Sequence, residues 1–204
     1  FAELGTHQGQ SYLAFCEALL AVQPAQAYAV DTWQGDEHAG FYGAETLETL
    51  RSHHDAKYGS FSRLMQMTFT EAAEQIPDGS IDLLHIGGRH FAEDARDDLE
   101  EWLPKMSPRG VVLMHDTQVF ERGFGVHEVW AELQAKYPSF EFHHGHGLGV
   151  LAVGSDIPEK LGLFFEAGTD QTRARLLRDF YHRQGRAVSD RYQVIELSRI
   201  AAER

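Results

Sequence analysis

Apolar and polar positions divide the start of the chain into a strand, a turn, a helix and a second strand. Phe1-Ala2-Glu3-Leu4 alternates as the tail of a strand does. Gly5 and Gly9 bracket a tight loop, and Ser11 precedes a helical pattern over residues 12–22, carried by Leu13, Cys16, Leu19 and Leu20 and ended by Pro24. Residues 27–31 form a short apolar run finishing on the carboxylate of Asp31, which predicts a second strand. Residues 32–43 mix Trp33, Phe41 and Tyr42 with Gly35, Asp36, Glu37 and His38, a composition that suits an irregular aromatic flap. The competing reading is an ordinary surface loop with buried aromatics.

Further along, the pattern predicts a helix over 44–54, a strand over 61–67 and a short helix opened by Thr68. Glu71 stands three residues on from Thr68, in capping-box position. The near-continuous apolar run 81–86 and the run 111–114 read as buried strands, the second ending at His115-Asp116-Thr117. Between them a helix over 91–103 carries Glu93, Asp94, Asp97, Asp98, Glu100 and Glu101, spread around its circumference as on a solvated surface. After a helix over 125–137, the strands 140–144 and 148–153 flank Gly145-His146-Gly147 and predict an antiparallel hairpin. Helices then take over at 160–165, 169–184 and from 189 to the end, with a modest apolar stripe suited to packing on a neighbour.

Glu3, Asp31, His85 and His115-Asp116 all fall at the carboxyl ends of strands, the edge of an open α/β sheet where ligands bind. Strand, glycine turn, helix and a strand ending in an acid make one mononucleotide-binding half of such a sheet, in which Asp31 accepts from ribose hydroxyls; a loop cap is the alternative. Gly5 and Gly9 let backbone approach a nucleoside closely, in the spacing Glu-x-Gly-x-x-x-Gly rather than that of dinucleotide folds. His90 lies just beyond a strand tip and is the first candidate for a general base, with His115 the second, because neutral imidazole accepts protons near pH 7. His143, His144 and His146 alternate along a strand and read as hairpin residues rather than a metal cluster.

The 204 residues, 43% of them hydrophobic, suffice for one core. Acidic residues outnumber basic ones 31 to 18, and the formal charge of −13 argues against nucleic acid or anionic membrane as partner. The lone Cys16 excludes an internal disulfide and fits a cytoplasmic setting. The absence of an initiator methionine and the opening near a strand end lead us to expect a piece of something longer.

Several motifs occur in an order that resembles the class I S-adenosylmethionine-dependent methyltransferases, in particular the group known as methyltransferase domain 24. They are Phe1 to Thr6 with Gly9-Gln10-Ser11, Ala29-Val30-Asp31-Thr32-Trp33, Gly79 to Ile86, and Ser107 to Thr117. The resemblance implies a Rossmann-like three-layer α/β/α sandwich over 1–154, its mostly parallel sheet ending in an antiparallel hairpin, followed by a C-terminal helical extension over 155–204. It implies cofactor binding by Glu3, Gly5, Thr6, Gly9, Ser11, Asp31, Trp33, Thr68, Phe69, His85 and Gly87, and catalysis by His90, His115 and Asp116. Where the family reads Ile-Asp-Gly-x-His, this chain reads Ile86-Gly87-Gly88-Arg89-His90. The missing carboxylate is a metal ligand in relatives that use a divalent ion, which puts magnesium at Asp116 in doubt. The activity expected is methylation of a hydroxyl on a small molecule, such as a sugar. A cofactor-binding domain without activity and a nicotinamide-dependent oxidoreductase are the alternatives. The helical extension is expected to join further domains or a second copy.

Overall fold

In a computed structural model, which describes residues 1–202, a seven-stranded sheet runs through the centre of the molecule. The first strand, β1 (Ala2–Leu4), leads through the helix α1 (Gln10–Leu19) to β2 (Ala27–Asp31). A two-stranded ribbon of β3 (Gly35–Asp36) and β4 (Gly40–Phe41) precedes α2 (Ala44–Tyr58) and β5 (Ser62–Gln66). Then come α3 (Phe69–Gln75), β6 (Ile81–Ile86), α4 (Ala92–Trp102) and β7 (Met106–His115). After α5 (Val126–Gln134) the chain ends in β8 (Ser139–Phe142), β9 (Leu148–Ala152), α6 (Glu159–Gly168) and α7 (Gln171–Ala202). The strand order is β5-β2-β1-β6-β7-β9-β8, parallel except at β9, which pairs antiparallel with both β7 and β8.

The period-two alternation of strands sorts side chains into the two faces. Leu4, Val30, Leu84, Ile86, Val112 and Met114 meet Ala72, Leu99, Trp102, Val129 and Trp130 from α3, α4 and α5. On the opposite face Ala27 and Ala29 pack with Tyr12, Cys16, Leu47 and Leu50 from α1 and α2. Val111, Phe140 and Val150 pack with Ala167 of α6 and Ala174 of α7. The result is the three-layer architecture that the resemblance implies, closed by the expected hairpin.

Local chemistry differs from expectation in two places. The cap of α1 is Gly9, left-handed at φ 78°, and not Ser11, which sits exposed in the first turn. A Cβ on Gly9 would fall 2.4 Å from Leu50 Cδ1, so the residue belongs to the turn and its packing. The last two helices expected are one, because Gly185 weakens a helix by only about 1 kcal/mol and no proline interrupts Gln171–Ala202. From Asp179 to Ile200 every residue except Glu196 is exposed. Among the described residues, no helix is long and apolar enough to cross a membrane.

Candidate active site

At the carboxyl edge of the sheet, β1, β2, β6 and β7 open onto two adjoining cavities that share Gly5, His7, Ala39, Gly87 and His90. The smaller lobe, about 230 Å³, is walled by Asp31, Tyr42, Thr68 and Phe69. The larger, about 630 Å³, is walled by Thr6, Ser11, His85, His115, Asp116, Arg122 and His146.

Backbone geometry makes the boundary between the lobes. Gly5 takes φ 79° and donates its N–H to the Val30 carbonyl at 2.9 Å, while the Gly87 N–H donates to the Leu4 carbonyl at 2.9 Å. A Cβ on Gly5 would lie 2.2 Å from the Gly87 oxygen, a separation only glycine permits. The fit at Gly87 itself is ordinary: a Cβ there would meet the Leu4 oxygen at 3.5 Å and His115 Cβ at 3.9 Å.

Asp31 is buried, and its two oxygens accept separate backbone bonds, Oδ2 from the His7 N–H at 2.8 Å and Oδ1 from the Trp33 N–H at 2.7 Å. The carboxylate thus caps the loop and still walls the smaller lobe, where each oxygen keeps a lone pair. Thr68 is the N-cap of α3 in the capping box read from the sequence, with its side chain accepting from the Glu71 N–H at 3.2 Å.

Trp33 departs from expectation. It is 2% exposed, packs with Leu47 and Leu50, and donates Nε1–H to the His7 carbonyl at 2.8 Å, so it is core and lines neither lobe. The flap that remains is Tyr42, against the His7 ring at 4.5 Å, and Phe41, which is exposed. Glu3 also departs: fully buried, it pairs through Oε2 with His85 Nδ1 at 2.8 Å and reaches neither cavity. Glu3 and His85 are register partners on β1 and β6, which is why they meet.

The larger lobe gathers the basic chemistry. His90 Nε2 lies 3.1 Å from Asp116 Oδ2, and His115 Nδ1 lies 3.2 Å from Asp116 Oδ1. Asp116 holds this place in a left-handed conformation, φ 61°, a region uncommon for residues other than glycine but one that aspartate enters more readily than most. Burial pushes its carboxyl up, but the bond from His90 and the charges of His115, His90 and His146 outweigh that and hold it below the usual range. Burial pushes the His115 imidazole down despite the Asp116 charge, keeping it neutral near pH 7. The His90 ring stacks on Phe124 at 4.5 Å, and its Nδ1 is buried with no hydrogen-bond partner among the described residues.

His7, Arg122 and Phe124 were not foreseen from the sequence, whereas Tyr42 and His38 belong to the flap read there. His38 packs on Phe91 and Phe124 at 4.5 and 4.4 Å and accepts Arg122 on its carbonyl. Of the hairpin histidines, His146 at φ 79° reaches the larger lobe, whereas His143 pairs with Glu141 at 3.4 Å.

The arrangement does not fit a magnesium centre. Magnesium takes oxygen donors in a near-ideal octahedron, whereas Gly87 offers no side-chain donor and the groups beside Asp116 are imidazoles.

A family described as methyltransferase domain matches residues 2–117. The uncharacterized protein y4gI of Sinorhizobium fredii is 54% identical over 172 residues, which cover 84% of this chain and 19% of that protein. The chain therefore spans about a fifth of this curated relative's length. Among solved structures, the S-adenosylhomocysteine-bound methyltransferase PaMTH1 of Podospora anserina aligns at TM-score 0.53 and 15% identity, covering 74% of this chain and 69% of its own. A methyltransferase from Geobacter sulfurreducens aligns at TM-score 0.53 and 13% identity, covering 74% and 68%.

Proposed function

Because the chain belongs to the methyltransferase domain family matched over residues 2–117, we propose that it binds S-adenosylmethionine in the Asp31 lobe and methylates a hydroxyl of a small molecule, such as a sugar, in the histidine-lined lobe. The observation that carries this reading is the sharing of Gly5, Gly87 and His90 by two cavities of different chemistry, one for a nucleoside and one for proton transfer.

Asp31 receives the ribose hydroxyls on the lone pairs left by its two backbone bonds, in charge-assisted contacts about twice as strong as neutral ones. Thr68 and Phe69 border the adenine, and the approach of Gly5 to Gly87 brings backbone to the methionine end. When bound, the cofactor supplies a methyl group activated on a sulfonium sulfur.

His115 is the better proton acceptor. His90, first choice on sequence, has Nδ1 buried and Nε2 against Asp116, while the half-exposed His115 ring turns only Nδ1 to Asp116. Asp116 orients that ring, so that His115 Nε2 would take the proton of the acceptor hydroxyl as its oxygen accepts the methyl group the cofactor would supply.

Gly87 favours one second reading, a cofactor-binding domain without activity within a longer protein. Calorimetry with S-adenosylhomocysteine and with nicotinamide dinucleotides tests the first step. We expect binding of the former only, weakened roughly 10-fold or more in Asp31→Asn, since a bond to a charged group contributes about 1.5–3 kcal/mol. No binding of S-adenosylhomocysteine rejects both readings.

A further inference from the structure

His90, His115 and Asp116 each offer one donor atom, and the three atoms lie within 4.8 Å of one another. Each histidine approaches a different oxygen of the same carboxylate, at 3.1 and 3.2 Å. Two donors about 2.1 Å from one ion at a tetrahedral angle stand roughly 3.4 Å apart, close to the separation of each histidine from the carboxylate. The half-exposed His115 faces the larger lobe, which leaves the ion an entry path and an open position.

We propose that His90, His115 and Asp116 form a binding site for a single divalent ion of the borderline class, such as zinc or cobalt, and that this site does not take magnesium. Two imidazoles and one carboxylate suit such ions, whereas magnesium prefers an all-oxygen shell. The site rests on side-chain geometry and not on the assignment of the cofactor. Its occupation has a chemical consequence: an ion on Nδ1 of His115 fixes the remaining proton on Nε2. Ion binding and proton acceptance at His115 are therefore alternative states of the cluster.

The test uses the full chain stripped of metal with a chelator. Zinc chloride and magnesium chloride are titrated by calorimetry, and cobalt(II) is followed by its visible absorption. We expect one tight zinc per chain, a strong tetrahedral-type cobalt band and no heat from magnesium. His90→Gln, His115→Gln and Asp116→Asn should each weaken the tight zinc by roughly 10-fold or more. Circular dichroism reports whether each variant folds, and the wild-type cobalt spectrum decides the donor set if one does not. Zinc bound no tighter than magnesium overturns the proposal, as does a tight zinc unchanged in both histidine variants, which would belong to surface histidines such as the His144–His182 pair, 5.5 Å apart. Titration of the same sample with S-adenosylhomocysteine keeps the two readings separate, since zinc binding without nucleoside binding rejects only the cofactor assignment.

Discussion

The carbonyl oxygen of Gly87 occupies the space where a side chain on Gly5 would begin, 2.2 Å from the position of its Cβ. Gly5 also stands at φ 79°, so alanine there meets both steric strain and a collision with backbone. Gly5→Ala should separate β1 from β6 at their tips. We expect a stability loss of about 2 kcal/mol or more and no detectable S-adenosylhomocysteine binding, read by thermal melting and calorimetry.

The opposite holds at Gly87, where a Cβ meets only ordinary contacts. Gly87→Asp should fold with a melting temperature within a few degrees of the parent. Its carboxylate would stand near His115 and Asp116, and we expect it to confer magnesium binding that the parent lacks. Calorimetry on the two proteins side by side checks this.

Fully buried Glu3 pairs across β1 and β6 with His85, which borders the larger lobe, and Glu3 Oε1 is left without a partner among the described residues. Removing one member of such a pair strands the other. His85→Leu should destabilise the protein by about 3–5 kcal/mol, and Glu3→Gln, which keeps a hydrogen-bonding side chain, by less. Denaturant unfolding of both variants measures the difference; equal losses would show that the hydrogen bond Gln can keep carries none of the pair's contribution.

Asp98 contradicts the reading of the α4 acids as uniformly solvated. Burial first, and then the charges of Asp94, Glu101 and Asp97, push its carboxyl up to about 7. The unfolded chain titrates near 3.9, so between roughly pH 4 and 7 the folded protein holds the extra proton. Stability from this group is therefore greatest at the acid end of that window and falls as pH rises through it. Asp98→Asn should stabilise the protein at pH ~8 by about 1–2 kcal/mol once partial exposure is allowed for, seen as a higher melting temperature, and change little at pH ~4. Melts at the two values decide it.

Much of the fold was legible because its signals are local. Ile81 to Ile86 reads as buried from its apolar run, Thr68 and Glu71 announce their cap by spacing, and Gly145-His146-Gly147 marks the hairpin. What was not legible depends on partners distant in sequence. Trp33 looked like a lid until the His7 carbonyl and α2 were seen to bury it, and Glu3 looked like a ligand until His85 claimed it. His90 and His115 were both named, but their convergence on Asp116 follows from the packing of β6 against β7 and from a left-handed residue that no pattern announces.

The position of β1 also governs how the site comes into being. β1 is an interior strand: Ala2 pairs with Tyr28 on one side and with Leu84 on the other. During synthesis the Asp31 wall can close as soon as β2 emerges, while the Gly87 wall waits for β6. The partly made protein therefore carries an open edge on β1 through most of the interval, a slow, non-local closure exposed to mispairing. The Gly87 wall and the second paired edge of β1 are completed by the same event.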